Sequence, residues 1–433
     1  MTAFLGMRGD GDWVADQRPK NWRETMLFLY PNGSMPLTAI MSKMKSEKTD
    51  DPQYYWWTKM LPNQAGAVTG VYTDSGLTVA YVSGGVAGSI IYLKMSAADI
   101  IHFRVGHTVL MRDASDDTLD TVGLVTAVVS NGAASSIGVK LLESDNNGVL
   151  FLVACDVVMV IGSMNAEGAA MPTSIAYDPT KLYNFTQIFR TPLSITRTAR
   201  KTKLRTGDQY KEAKREALEL HGIEMEKAFL FGIPYEGTGS NGKPERMTEG
   251  LITHIRTNNS SCVSNFQTDA TYHGKNWLDD GGGEDFLFEF LEILFRYGRQ
   301  EKLAVCGTGA LMGLNKLAQA NGHFTMTSST KSYGINVSEF VTPFGVVYFK
   351  THPLFNVEAT LRNSMVLFEP ENCVYRYIDD TTFYGEGGKT AAEGTNGGRI
   401  DGSSEEFLTE CGLEYHHPYT AGFLNGVGLN HTA

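Results

Sequence analysis

The chain has 433 residues, 42% of them hydrophobic and 20% charged, which is enough for two or three domains with buried cores. Its formal net charge of −11 argues against a surface that binds nucleic acid or anionic membranes in general. The five cysteines form no CxxC pair, which predicts reduced thiols and excludes a disulfide framework or a cysteine zinc site.

The N-terminal part predicts an arm, a short helix and an aromatic strand. Residues 1–35 are polar and turn-rich and are typical of an extended arm, and a short amphipathic helix is expected around Pro36–Met44. The first residues lack a basic region followed by an apolar run, so no signal peptide is expected, and no run reaches the ~18 apolar residues that cross a membrane. The cluster Tyr54–Trp57 predicts a strand with one face in the core and the other in an interface; a glycan platform is the alternative.

Residues 63–170 predict a β-rich module, a small barrel or sandwich. Gly, Asn and Asp turns separate the candidate strands Thr78–Val82, Ser89–Lys94, Thr108–Arg112, Val122–Ser130, Ile137–Leu142 and Val157–Ile161. An acidic turn holds Asp113, Asp116, Asp117 and Asp120. Because the EF-hand spacing and its glycine are absent, we interpret this turn as a solvated loop and not as a calcium site.

The next stretch predicts a strand, Phe185–Thr198, followed by a long helix, Asp208–Phe231. Thr206 or Asp208 is expected to cap the helix, and Gly232 to end it in the left-handed conformation. One apolar stripe is expected, formed by Tyr210, Ala213, Ala217, Leu220, Ala228 and Phe231. At 1.5 Å per residue such a helix is roughly 35 Å long.

A basic segment without any acid, from Arg190 to Arg205, begins within this strand and continues towards the helix. Its residues are Arg190, Arg197, Arg200, Lys201, Lys203 and Arg205. It is either a strip that contacts DNA phosphates or one that meets the acidic surface of a neighbouring subunit. Because no aromatic residues alternate with the basic ones to stack bases, and the chain is acidic, we favour the contact between subunits.

The remainder predicts helices alternating with strands. A strand is expected to begin at Met247–Leu251, and the later expected elements are a helix over 284–297, a strand over Lys302–Cys306, a helix from Gly307 to about Ala320, a hairpin over Gly334–Val341 and Val346–Thr351, and strands Met365–Glu369, Val374–Ile378 and Glu405–Tyr415, with a glycine-rich loop over Gly385–Gly402. The adjacent His416 and His417 should point to opposite faces of a strand, which disfavours a metal site. We find no catalytic motif and expect no catalytic residues, metal or cofactor.

Several of these motifs together resemble one known family. The strand with Asn184-Phe-Thr-Gln-Ile-Phe189, the long helix ending in Ala228-Phe-Leu-Phe-Gly232, and Met247-Thr-Glu-Gly-Leu251 resemble the major capsid proteins of tailed double-stranded DNA bacteriophages, which have the Hong Kong 97-type fold. The helix–strand–helix–hairpin order with Thr342-Pro-Phe-Gly345 is similar to the family's axial domain. The resemblance covers about residues 36–425.

The resemblance implies an α+β fold with a spine helix, a peripheral-domain sheet, an axial domain and an inserted β-rich module in an extended loop. The implied boundaries are an arm over 1–35, the start of the peripheral domain over 36–65, the extended loop over 66–170, the peripheral domain with the spine helix over 171–250, the axial domain over 251–370 and the return to the peripheral domain over 371–433. It also implies a structural, non-enzymatic protein that assembles in the host bacterial cytoplasm, as hexamers and pentamers, into an icosahedral head shell. This shell would enclose DNA without binding it specifically. Other copies of the chain, and portal, scaffold and decoration proteins, are the implied partners.

Two alternatives to a phage shell remain open at this point. An encapsulin-like compartment shell shares the fold. A nucleotide-binding enzyme would use Gly307–Gly313, which follow a strand and open a helix, although their spacing is G-x-G-x-x-x-G and no acidic residue closes a following parallel strand.

Overall fold

The computed structural model describes residues 45–59, 62–114, 120–145, 152–202, 208–321, 326–332, 335–384 and 402–432. The predicted arm, the helix around Pro36–Met44 and residues 385–401 of the glycine-rich loop lie outside these residues. The chain forms two compact units, of which one comprises residues 57–181 and the other comprises the residues before and after it. The boundaries expected for peripheral domain, axial domain and extended loop remain predictions.

The described residues form five α-helices and 21 strands, numbered here in chain order. The helices are α1 (Arg197–Lys201), α2 (Gln209–Phe231), α3 (Leu251–Asn258), α4 (Gly283–Phe295) and α5 (Thr308–Asn321). The first ten strands are β1 (Ser46–Lys48), β2 (Gln53–Thr58), β3 (Ala65–Tyr72), β4 (Ile90–Met95), β5 (His107–Arg112), β6 (Asp120–Val129), β7 (Ser136–Leu141), β8 (Val157–Ser163), β9 (Thr180–Phe185) and β10 (Gln187–Thr196). The others are β11 (Tyr235–Thr238), β12 (Pro244–Met247), β13 (Val263–Asn265), β14 (Glu301–Cys306), β15 (Met326–Ser332), β16 (Ile335–Val341), β17 (Val346–Thr351), β18 (Met365–Phe368), β19 (Cys373–Tyr384), β20 (Gly402–Tyr415) and β21 (Gly422–Asn425).

Residues 57–181 contain a closed six-stranded barrel in the order β3-β4-β7-β6-β5-β8. Its neighbouring strands are antiparallel, and side chains alternate between interior and exterior, so Val109 and Met111 of β5 are fully buried. The interior is a packed apolar core that also contains a buried hydrogen bond, in which Tyr81 Oη donates to Asp145 Oδ2 at 2.5 Å. Burial raises the pKa of Tyr81 to about 12. The predicted barrel is therefore confirmed.

Three details of this unit differ from the sequence prediction. Thr78–Val82 is not a strand, because only Ala80 pairs, in an isolated bridge with Tyr72, and Val79 and Val82 are exposed. Strand β3 was not predicted, since its glycines and alanines have low β propensity. The predicted solvated acidic turn is also wrong at Asp113, which is buried. Asp116 and Asp117 lie outside the described residues.

In the other unit, a four-stranded sheet packs against the long helix α2. The strand order is β1-β19-β20-β10, and β10 runs antiparallel to β20 over its whole length. Apolar residues from β10, α2, α3 and β20 share one core that includes Phe189, Phe229, Leu251 and Leu413. The helix is therefore fixed along one side of this sheet.

The same unit contains a seven-stranded mixed sheet in the order β13-β21-β18-β14-β17-β16-β15. Helices α4 and α5 bury Phe290, Leu291 and Leu314 in a second core with this sheet. Predicted helices and strands in this region are present with boundaries shifted by at most a few residues. The exception is Met247–Leu251, where β12 ends at Met247 and helix α3 begins at Leu251.

Candidate functional site: a basic segment beside the long helix

Within the described residues, the basic segment is divided between two elements. Arg190 is on strand β10, while Arg197, Arg200 and Lys201 are on the short helix α1. Lys203 and Arg205 lie outside the described residues. The predicted strand therefore ends at Thr196, whose Oγ1 accepts the backbone N–H of Ala199 at 3.2 Å and caps α1. The turn brings three basic residues together at the start of the long helix.

Arg190 is paired within its own chain. Its Nη2 and Nε donate to the two carboxylate oxygens of Glu406, on the adjacent strand β20, at 2.7 and 2.9 Å. A bidentate pair of this kind fixes both side chains, although Arg190 remains largely exposed. Arg190 is consequently the basic residue least suited to reach another molecule.

Arg200 contacts the beginning of helix α2. Its guanidinium lies 4.6 Å from the centre of the Tyr210 ring, and the Tyr210 hydroxyl donates a hydrogen bond to Glu405. This hydrogen bond, followed by burial, raises the pKa of Tyr210. Arg200 and Lys201 are both exposed on α1. The arrangement holds a positive surface at a defined position, as an electrostatic contact between protein surfaces requires.

The long helix begins as predicted, with Asp208 Oδ1 accepting the backbone N–H of Tyr210 at 3.0 Å. Its apolar stripe is predicted correctly at Ala217 and Ala228, but Leu220 is half exposed. Its place is taken by His221, which is almost completely buried. His221 hydrogen bonds to Thr191 on β10 at 3.0 Å and to Thr409 on β20 at 2.8 Å.

The sequence analysis missed a second buried polar residue of α2. Glu226 is fully buried and accepts a hydrogen bond from His352 Nε2 at 2.7 Å, while His352 Nδ1 accepts the backbone N–H of Leu354. His221 could have been found from its sequence position, four residues after Ala217 and four before Met225 on the buried side. No comparable signal marks Glu226, because its partner is distant in sequence.

The end of the helix differs from the prediction in conformation. Gly232 has φ of −58° and is not left-handed. Glycine is needed there for space, since a Cβ at Gly232 would lie 2.2 Å from the carbonyl oxygen of Thr248. Gly250 N–H donates to Gly232 O at 2.9 Å, so the end of α2 and the start of α3 touch directly.

Asn184 connects this joint, the direct contact between the end of α2 and the start of α3, to strand β20 of the sheet. Its side-chain amide donates to Leu413 O at 2.6 Å and to Glu249 O at 3.2 Å, and its Oδ1 accepts the N–H of Glu249 at 2.7 Å. The motifs around Asn184, Gly232 and Thr248–Gly250 thus meet at one buried joint. The contacts that these motifs make here hold α2, α3 and the sheet together.

The glycines proposed for a nucleotide leave no space for a phosphate. A Cβ at Gly307 would lie 2.2 Å from Arg362 O, and one at Gly313 would lie 2.4 Å from Gly428 Cα. The N–H of Thr308, at the start of α5, already donates to Asn356 Oδ1 at 2.9 Å. This is a tightly packed strand-to-helix turn, and the nucleotide-binding alternative is not supported.

The other candidate residues are structural as well. Tyr54 and Trp56 are buried and Tyr55 and Trp57 are exposed, as a strand with one core face predicts. His416 and His417 follow the end of β20 instead of lying on a strand, and His416 hydrogen bonds to Glu414. Within the described residues, no group of three or more potential metal ligands occurs. All five cysteines are free and buried, and burial raises the pKa of each thiol.

Comparison with known families decides the assignment. The model of the family described as SU10 major capsid protein matches residues 15–428. This chain belongs to the SU10 major capsid protein family. A curated relative, the major capsid protein of Pseudomonas phage PaMx41, is 23% identical over 429 residues, covering 94% of this chain and 92% of the relative.

Solved structures similar to this SU10-family chain include those of a mycobacteriophage and an encapsulin. The structure of Mycobacterium phage Cain matches 95% of this chain and 96% of its own with 10% identity and a TM-score of 0.45. The holo-SrpI encapsulin complex of Synechococcus elongatus PCC 7942 matches 59% of this chain and 79% of its own with 13% identity and a TM-score of 0.39. The long helix, the two sheets and the barrel confirm the predicted α+β class, and the family's description as a major capsid protein agrees with the resemblance found in the sequence. Among the described residues, no helix is both long and apolar enough to cross a bilayer.

Proposed function

We propose that this protein is the major capsid protein of a tailed phage and that its copies assemble, as hexamers and pentamers, into an icosahedral head shell around double-stranded DNA. The observation that carries this proposal is the family match over residues 15–428. The relative from Pseudomonas phage PaMx41, matched over nearly its whole length, has the same name. The chain is thus a structural protein of the virion.

The architecture supports this function in physical terms. Helix α2 is held to the four-stranded sheet by an apolar core and by the hydrogen bonds of His221. It is roughly 35 Å long and forms a rigid element of the subunit. We assign the four-stranded sheet and α2 to the peripheral domain, the seven-stranded sheet to the axial domain, and the barrel to the extended loop. Repeated weak contacts between such subunits give a stable closed shell.

Within this proposal, the basic segment lies between subunits. Subunits that all carry a net charge of −11 repel each other, and local positive segments at the contacts offset this repulsion. Because the bidentate pair with Glu406 fixes Arg190, we assign the contact to the exposed basic residues of helix α1, among them Arg200 and Lys201. Lys203 and Arg205 continue the same charge along the sequence.

Portal, scaffold and decoration proteins complete the proposed set of partners, and assembly takes place in the host bacterial cytoplasm. The negative net charge fits a protein that encloses DNA without binding it specifically. No catalytic role is assigned.

The test is to express the full chain, alone and with the proteins encoded next to it, and to image the products by electron microscopy. We expect capsomers and closed particles of uniform size that sediment far ahead of the subunit. A chain that stays monomeric at every salt and protein concentration, with or without those neighbouring proteins, would refute the proposal.

A further inference from the structure

A groove of about 490 Å³ lies beside the C-terminal end of α2. Its apolar lining includes Phe231, Met247, Leu354, Val357 and Leu361. All of them belong to the unit that contains α2 and the two sheets. The groove is therefore a feature of one compact unit.

The groove and its surroundings leave apolar side chains in contact with water. Val357, on its wall, is 78% exposed. Ile233, which directly follows the lining residue Gly232, is 53% exposed. A concave apolar surface with such a rim is typical of a site that another segment or molecule covers.

The residues before β1 contain a segment whose composition suits it to occupy the groove. Residues 1–44 lie outside the described residues, and the chain enters the fold at β1, where Ser46 pairs with Tyr375. The Tyr375 ring lies 6.3 Å from that of Phe229, in the last turn of α2, and Phe231 of the same turn lines the groove. Strand β1 is one edge of the four-stranded sheet and β10, which carries the lining residue Gln187, is the other, so the N-terminal residues enter the sheet three strand spacings, roughly 15 Å, from the edge that borders the groove.

The residues before β1 contain one run of five large apolar side chains, Met26-Leu-Phe-Leu-Tyr30. Residues 31–45, which connect it to β1, span at most roughly 50 Å when extended, which is ample for this distance. We propose that the segment Met26–Tyr30 docks in the groove of its own chain. Because docking takes place within one chain, this inference does not depend on the proposed function.

The charges on the two sides are complementary. Two carboxylates, Glu224 and Glu358, lie on the wall of the groove with a single cation, Lys227. The residues just before the apolar run contribute three cations, Arg18, Lys20 and Arg23, and one carboxylate, Glu24, and are therefore positive on balance. Opposite charges around an apolar contact favour one orientation of the segment over the reverse.

Disulfide trapping in the full-length chain tests the inference. In the double variant Leu29→Cys, Val357→Cys, a mild oxidant should form an intrachain disulfide, identified by mass spectrometry of non-reduced peptides. The five native thiols are buried, so they compete little. The matched control is Leu29→Cys, Val82→Cys, since Val82 on the barrel is 75% exposed, nearly as much as Val357. We expect the first disulfide to form at least tenfold faster than the second.

Equal rates for the two pairs would overturn the inference. A disulfide to position 357 found only between chains would also overturn it, because the occupant would then belong to a second copy.

Hydrogen exchange provides a measurement without introduced cysteines. In the variant Leu27→Glu, Leu29→Glu, the amides of residues 354–361 should exchange at least tenfold faster than in the unmodified chain. The control variant Val82→Glu should leave them unchanged. Unchanged exchange in the Leu27→Glu, Leu29→Glu variant would contradict docking.

Discussion

His221 shows how a single neutral side chain joins the long helix to its sheet. It is buried between β10 and β20 and hydrogen bonds to a threonine on each strand. Burial lowers the pKa of His221, because a charged imidazole loses hydration there and the opposing attraction of the Glu224 carboxylate is weaker. In a neutral imidazole one nitrogen donates and the other accepts, so two hydroxyl partners suit it well.

The lowered pKa of His221 predicts a loss of stability in mild acid. Below about pH 6.5 the unfolded chain takes up a proton that the folded chain does not, so the free energy of unfolding falls until the lower, folded-state pKa is reached. One such proton gives a slope of at most about 1.4 kcal/mol per pH unit. Urea unfolding of the unassembled subunit between pH 7.5 and 5.5 measures this slope. His221→Gln should be less stable at pH 7.5 but should show a shallower dependence on pH.

The control for His221 is His273→Gln, at an exposed histidine of the same unit. It should keep the slope of the unmodified chain. If His221→Gln shows that same slope, protonation of His221 does not contribute to acid sensitivity.

Residue-scale prediction from the sequence succeeded where the contact is local and failed where it is distant. Asp208 was found as a cap, because a cap depends on residues within one helical turn. His221 and Glu226 were not found, because their partners Thr409 and His352 are far away in the chain. Arg190 illustrates the same limit, since its neutralising partner Glu406 lies on a strand more than two hundred residues later.

At the scale of helices and strands, the joint between α2 and α3 explains why positions 232 and 250 are glycine. Gly232 and Gly250 touch through a backbone hydrogen bond, and neither has a positive φ. Their requirement is therefore for close backbone approach, and the sequence could indicate only that the helix stops there.

Gly232→Ala should accordingly destabilise the subunit more than an ordinary glycine replacement. Its Cβ would lie 2.2 Å from Thr248 O and 2.6 Å from Ala228 O, both backbone atoms that cannot rotate away. We expect a loss of roughly 2–4 kcal/mol in the free energy of unfolding, at the upper end for single substitutions. The comparison is Gly242→Ala, where φ is +73° and no atom lies within 4 Å, so only backbone strain of about 1 kcal/mol applies. Equal losses in chemical denaturation would show that the joint tolerates a side chain.

Helices and strands were predicted accurately where the hydrophobic periodicity is strong or where capping and turn residues mark their ends. Helix α2 and barrel strands β4–β8 were anticipated within a few residues, since caps, turns and alternation mark them. The segment Phe185–Thr198 was predicted as one strand, but Thr186 interrupts it by donating its N–H to Pro52 O at 2.8 Å, and α1 begins at Arg197. The first departure depends on a contact distant in sequence, whereas the second has a local cause, since Thr196 caps α1.

At the scale of the whole molecule, each compact unit has its own cores. The barrel core contains only residues of 57–181, and the cores around α2 and α4 contain none of them. We therefore expect a chain in which residues 62–176 are replaced by a flexible linker of about 10 residues to keep a single cooperative unfolding transition. Residues 57–181 expressed alone should fold too. Loss of near-ultraviolet circular dichroism or precipitation of the excised chain would show that the barrel is integral to the fold.

The basic residues of α1 are predicted to be needed for assembly. Changing Arg197, Arg200 and Lys201 together to Ala removes the positive charge of α1, and an acidic partner left unpaired at a partly desolvated contact disfavours association. The triple variant should remain folded by circular dichroism, since α1 is only a five-residue helix at the surface, but it should give few or misshapen particles by electron microscopy. Arg190→Ala is the matched control, because this arginine is paired with Glu406 in its own chain and should leave assembly intact. Normal particles from the triple variant that fail only to retain DNA would instead place the segment against the genome.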